Sequence, residues 1–306
     1  MPWPHFTLND GSSMPSIAYG HIYWVNQETI EPDVIKAIET DFIHLDTAQG
    51  YYDEDRFARA IKKSNKSRKD LYITTKWSRA DTDIKDACEN SLRQLEVDQV
   101  DLYLIHNRGL CGNDIEGHWA RMELVKKLGY TKSIGVSNFN LHDLKTLIAS
   151  CSIVPAVNQI QLDPHFYAEQ IPLIEYCREK GIVVEAYSAL IPLREDPDGP
   201  ISKTLQRIGK DKNAEPEQVL MAWCLAKGCA VVTSSHQESR MKSYIQAGDV
   251  KLSSEDIEAI DKAGKQAAFR ANTMKLARAT SRRFISALGV FAVCWLLSLM
   301  IRVYLL

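Results

Sequence analysis

Short apolar, β-branched runs alternate with stretches of helical period along most of the chain. The runs are Ser16–Gly20, Phe42–Asp46, Leu71–Lys76, Val100–His106, Ser133–Ser137, Ala156–Gln161, Val183–Tyr187 and Ala230–Thr233. Each is short and apolar enough to be a strand buried on both faces. A hairpin is expected before them, turning at Asn9-Asp10-Gly11. Helices fall between the runs. From Asp83 to Glu96 the apolar residues Ile84, Ala87, Cys88, Leu92 and Leu95 share one face with Ser91, and Asp83 is a suitable N-cap. A second helix begins at Glu215-Pro216 and stops at Gly228, and a third runs from Ile171 to Lys180 and stops at Gly181.

Strands that alternate with helices pair in parallel through right-handed crossovers. Eight such units in about 250 residues match a (β/α)8 barrel, a TIM barrel of the α/β class. A doubly wound open sheet is the alternative, and no GxGxxG fingerprint follows the first strand to favour it.

The C-terminus breaks this rhythm. Residues 284–301, "FISALGVFAVCWLLSLMI", carry no charge, and as a helix they would reach roughly 27 Å, close to a bilayer's hydrocarbon thickness. Lys275, Arg278, Arg282 and Arg283 precede the run and only Arg302 follows it, so a membrane helix here would keep the rest of the chain cytosolic. The expected organisation is a barrel over 1–264, a basic spacer over 265–283 and a transmembrane tail anchor over 284–306, with the lipid bilayer as partner. A terminal insertion of this kind follows translation, which fits the endoplasmic reticulum or the outer mitochondrial membrane. A buried terminal helix or a dimerisation helix is the other reading of the run.

Composition narrows the function. The net charge of -2 argues against nucleic acid as a partner. Seven scattered cysteines without a CxxC pair spell out neither a disulfide framework nor a zinc site, so no metal is expected.

The strand ends carry the chemistry. They finish on Asp46, Lys76, His106, Ser137-Asn138, Gln159, Tyr187 and Ser234-Ser235, the first four about one βα unit apart. In a parallel barrel all C-terminal strand ends open on one face, so these residues would converge. An acid, an ammonium and an imidazole buried singly would each cost desolvation, which mutual pairing offsets. A structural ion pair with a core histidine is the blander account of the same three residues.

At these positions the chain resembles the aldo-keto reductases, over about residues 5–262, and as a membrane-anchored member of fungal type. "HLDTAQGYYDE" is similar to that family's D-T-A-x-x-Y signature, "YITTKW" to its lysine strand and "DLYLIH" to its histidine strand. "SIGVSNF", "VNQIQLDP" and "AYSAL" resemble three cofactor segments in order. The resemblance implies a catalytic set of Asp46, Tyr51, Lys76 and His106, with Tyr52 as the substitute if the turn is shifted. Tyr51 would be the proton donor, Lys76 would lower the pKa of the phenol, Asp46 would hold Lys76, and His106 would orient a small-molecule carbonyl substrate. Ser137, Asn138 and Gln159 would bind a nicotinamide carboxamide, Tyr187 would stack on its ring, and Ser188 follows in the same segment.

The stretch "VVTSSHQESRMKSY" resembles the family's segment for an adenosine 2'-phosphate, with Arg240 and Ser235 as its contacts and Ser234 where many members have lysine. NADPH/NADP+ is therefore the expected cofactor, with NADH not excluded. The first strand runs into "GHIYWVN", where Tyr23 and Trp24 either line a substrate pocket or pack on the barrel rim. The function implied is NADPH-dependent reduction of aldehydes or ketones at a membrane. A cofactor-sensing subunit of a membrane protein, with little turnover, is the alternative.

Overall fold

The computed structural model describes residues 2–21 and 26–273 of the 306-residue chain. Two short antiparallel strands, β1 (His5–Thr7) and β2 (Ser13–Pro15), form the expected hairpin. Gly11 closes its turn at φ +84°, a backbone state that glycine adopts without steric cost. Eight strands follow: β3 (Ile17–Gly20), β4 (His44–Asp46), β5 (Tyr72–Trp77), β6 (Val100–Ile105), β7 (Thr131–Ser137), β8 (Val157–Gln161), β9 (Val183–Tyr187) and β10 (Cys229–Thr233). All their pairings are parallel, and β10 pairs with both β9 and β3, which closes the barrel. Each of the eight barrel strands is paired on both edges, so the sheet is closed and not open.

The hairpin plugs the N-terminal mouth. Leu8 and Met14 cluster with Tyr72, Ala156, Val157 and Ala230, which lie at or beside the starts of three barrel strands. One mouth is thus filled, and the C-terminal mouth is where polar strand ends gather. Outside the barrel, the helix Ile84–Leu95 buries Ile84, Ala87, Cys88, Ser91, Leu92 and Leu95, the face read from its period. The Asp83 carboxylate accepts from the Lys85 amide at 2.8 Å and caps it.

Two helices differ from expectation. The one expected at Ile171–Lys180 spans Pro164–Glu179, starting about two turns earlier. Asp163 caps it and Pro164 occupies its first turn, while Pro172 inside it costs one ladder bond and disguises its continuity in sequence. The other is the helix over 254–273, which crosses the boundary expected at residue 264 without a break. Ile260, Ala263 and Ala267 bury one face of it, and Lys262, Lys265 and Arg270 are exposed. A Cβ at Gly264 would lie 2.0 Å from the Pro164 carbonyl oxygen, so this helix rests directly on the start of the Pro164–Glu179 helix.

The expected tail helix over 284–306, most of the spacer, and Tyr23 and Trp24 lie outside the described residues. Among the described residues, no helix is long and apolar enough to cross a membrane.

Candidate active site

β4 ends on Asp46, β5 carries Lys76 one residue before its end, and His106 directly follows β6. The barrel brings the three together at its C-terminal mouth. Lys76 is fully buried; its Nζ donates to Asp46 Oδ1 at 2.5 Å and to the Thr47 carbonyl at 2.9 Å. Burial by itself would lower the lysine's pKa, but the Asp46 carboxylate prevails and holds it above the ordinary value. The cation is therefore present at neutral pH.

The chain after β4 makes a single 3-10 turn, Gln49–Tyr51, which turns the Tyr51 ring inward. Lys76 Nζ lies 5.2 Å from the centroid of that ring. Tyr52, the substitute considered from sequence, adopts φ +56° and is 60% exposed, so it faces away from the lysine's side of the turn. The phenol departs from expectation in one respect. Burial raises its pKa, the Lys76 charge lowers it, and the net result is a rise, not the fall argued from the lysine alone. Desolvating a phenolate costs more here than one cation returns.

His106 Nε2 sits 3.3 Å from the Tyr51 hydroxyl, and its Nδ1 sits 2.6 Å from Ser78 Oγ. Burial, then the neighbouring Lys76 cation, push the imidazole down to about 4, so it is neutral at pH 7. Ser78 is a neighbour the sequence reading missed; it lies two residues past Lys76, and only the bend after β5 turns it toward the histidine.

Around this cluster the next strand ends interlock. Ser137 Oγ donates to the Gln159 carbonyl at 2.8 Å, and Asn138 Nδ2 donates to the His106 carbonyl at 3.0 Å. The Tyr187 hydroxyl donates to Asn138 Oδ1 at 2.7 Å. Asn138 and Ser188 both adopt φ +59°, a strained state for residues other than glycine, and both follow strands that end at this mouth. Such strain concentrates at functional sites. Gln159 Nε2 donates to Asp46 Oδ2 at 2.9 Å and to Glu185 Oε2 at 2.7 Å. Glu185 was also missed, because inside "VVEAY" it reads as one polar residue in a buried strand.

A cavity of about 760 Å³ opens over these groups. Asp46, Tyr51, His106, Gln159 and Tyr187 line it, together with Ser234, Ser235 and Arg240. Arg240 is half-exposed and pairs with Glu217 at 3.2 Å. Ser235 accepts from the Gln237 amide through its hydroxyl, just before the helix Glu238–Gln246. His21, on the first strand's exit, also lines the cavity. The volume lies within the range of small-molecule and cofactor sites.

The sequence profile of the Aldo/keto reductase family matches residues 19–265. The NAD/NADP-dependent indole-3-acetaldehyde reductase of Schizosaccharomyces pombe is 34% identical over 241 residues, covering 78% of this chain and 85% of that protein. The glycerol 2-dehydrogenase (NADP(+)) of Saccharomyces cerevisiae is 33% identical over 294 residues, covering 85% and 90%. Among solved structures, an aldo/keto reductase from Brucella melitensis superposes with a TM-score of 0.77 at 32% identity, over 85% of this chain and 99% of the other.

Proposed function

The chain belongs to the aldo/keto reductase family, and from that premise we propose that it reduces aldehydes or ketones to alcohols with NADPH, Tyr51 giving the proton. The observation that carries this reading is the convergence of Asp46, Lys76, Tyr51 and His106 at a cavity that Arg240 also lines. A nicotinamide dinucleotide phosphate fits that distribution of groups. Ser137, Asn138 and Gln159 offer amide-reading donors and acceptors beside Tyr51, Tyr187 offers a ring, and Arg240 with Ser234 and Ser235 offers a cation and hydroxyls for a phosphate. Bound NADPH would supply the hydride to the carbonyl carbon.

The chain's own residues do the rest. As negative charge builds on the substrate oxygen, the Tyr51 hydroxyl protonates it. The raised phenol keeps its proton until an oxyanion is there to take it. Lys76 then stabilises the phenolate left behind, held in place by Asp46 and the Thr47 carbonyl. Neutral His106 pairs through Nδ1 with Ser78 Oγ, and in the tautomer that carries its proton on Nε2 it would donate to the same substrate oxygen.

The test is NADPH titration of the purified protein followed by NADPH oxidation with a panel of aldehydes and ketones. Binding with turnover supports the enzyme; failure to bind any nicotinamide dinucleotide ends the reading. Binding without turnover on any carbonyl would favour a cofactor-sensing subunit instead. The phosphate end has its own expected result. Arg240→Ala should raise KM for NADPH about 10- to 100-fold, the worth of a charge-assisted contact, and leave KM for NADH nearly unchanged. Equal loss with both cofactors would remove Arg240 from the phosphate site.

The membrane tether belongs to this proposal as well. It rests on the uncharged run 284–301 and the basic residues before it. The barrel would lie on the cytosolic side of the endoplasmic reticulum or outer mitochondrial membrane. In cells, the full chain should stay with membranes through alkaline carbonate extraction, and a chain lacking 284–306 should be released. Release of the full chain would refute the tether.

A further inference from the structure

Glu185 is fully buried inside the barrel, on β9, where an apolar side chain would fill the space at less cost. Its Oε1 has no hydrogen-bond partner among the described residues, and the nearest basic atom, His44 Nδ1 at 4.0 Å, is engaged with the Pro15 carbonyl at 3.1 Å. Glu185 is thus not held by a cation of its own. Its one bond is to Gln159 Nε2 at 2.7 Å, and that nitrogen also donates to Asp46 Oδ2 at 2.9 Å.

An amide nitrogen carries two N–H groups. Asp46 takes one and Glu185 takes the other, so the Gln159 amide has no donor left. What remains to it is Oε1, a pure acceptor, on a side chain that lines the cavity. Asp46 alone decides which end of the amide points inward. It leaves the second N–H unassigned and the plane of the amide free to turn. The second carboxyl removes both freedoms.

Burial and the Asp46 charge raise the carboxyl of Glu185, which favours its neutral form. A neutral acid there accepts from Gln159 without drawing Lys76 away from Asp46.

We propose that Glu185 is a positioning residue that locks Gln159 with its oxygen presented to the NH2 of a nicotinamide carboxamide. The inference rests on the cavity taking a nicotinamide cofactor. It is specific to the carboxamide, because only a ring substituent that donates a hydrogen bond can use an amide oxygen fixed in this way.

The experiment measures dissociation constants by quenching of tryptophan fluorescence, for NADPH and for its 3-acetylpyridine analogue, whose acetyl group cannot donate. The proteins are the native chain, Glu185→Leu and Glu185→Gln, each checked for native circular dichroism and melting temperature. The native chain should prefer NADPH. Glu185→Leu should weaken NADPH about fivefold and leave the analogue unchanged, the scale expected for one neutral hydrogen bond. Glu185→Gln keeps an acceptor for Gln159 and should restore the preference. Equal weakening of both cofactors by Glu185→Leu would reduce Glu185 to packing and overturn the proposal, as would an unchanged preference. If the native chain binds neither dinucleotide, the functional reading falls and this inference with it; if it binds both and the Leu variant is indifferent, only this inference falls.

Discussion

Tyr51→Phe should bind NADPH as the native chain does and reduce carbonyls about 10³-fold more slowly, within the range that a positioned general acid contributes. The substitution deletes one oxygen and keeps the ring against Lys76 and His106. The neighbouring Tyr52 is exposed and turned outward, so it does not replace the lost phenol. Tyr52→Phe should therefore leave turnover within a factor of about two, as is usual for an exposed side chain away from the site. The pH profile carries a second expectation. The phenol is raised above its ordinary value and His106 is lowered to about 4, so neither group changes protonation across neutrality. The rate with saturating cofactor should show no inflection from these groups between about pH 6 and 9. Steady-state NADPH oxidation across that range checks both statements. A Tyr51→Phe enzyme retaining a tenth or more of native turnover would refute the assignment of the proton donor.

Lys76→Met should both inactivate and destabilise. It leaves Asp46 buried with Gln159 Nε2 as its side-chain donor and no adjacent cation. Breaking a buried ion pair from one side costs about 3–5 kcal/mol, because the remaining charge is uncompensated. For a domain of this size that corresponds to a fall in melting temperature of roughly 10 °C. The double variant Lys76→Met/Asp46→Leu removes the orphaned charge and should regain much of the stability while remaining inactive. Thermal unfolding alongside turnover separates the two effects. If Lys76→Met melts with the native chain, the Lys76–Asp46 pair is not a buried charge pair of the kind described.

Three features of the molecule were legible in the sequence. Strands buried on both faces must be short and apolar, so the polar residues that stop them, Asp46, Lys76 and His106, stood out at nearly equal spacing. The face of the Ile84–Leu95 helix followed from its period alone. The hairpin turn followed from Gly11 and its neighbours. Other features were hidden for an equally physical reason. The family signature put Tyr51 ahead of Tyr52, but which of the two turns inward depends on the dihedral angles of a one-turn helix, which two adjacent tyrosines alone do not encode. The Gln159–Asp46 bond joins residues 113 apart, and Ser78 meets His106 across 28. A lone serine or glutamate carries no local mark of such a partner.

Residue order by itself determined the elements, their parallel pairing and the types of group at each strand end, because burial and backbone hydrogen bonding act locally and leave a period in the chain. Tertiary structure alone decided that eight strands close on themselves, that Tyr51 points inward over Lys76, that the last described helix continues to residue 273 against Gly264's neighbour Pro164, and that Glu185 meets Gln159. Those outcomes depend on distances between segments remote in sequence, and such distances exist only once the barrel has closed.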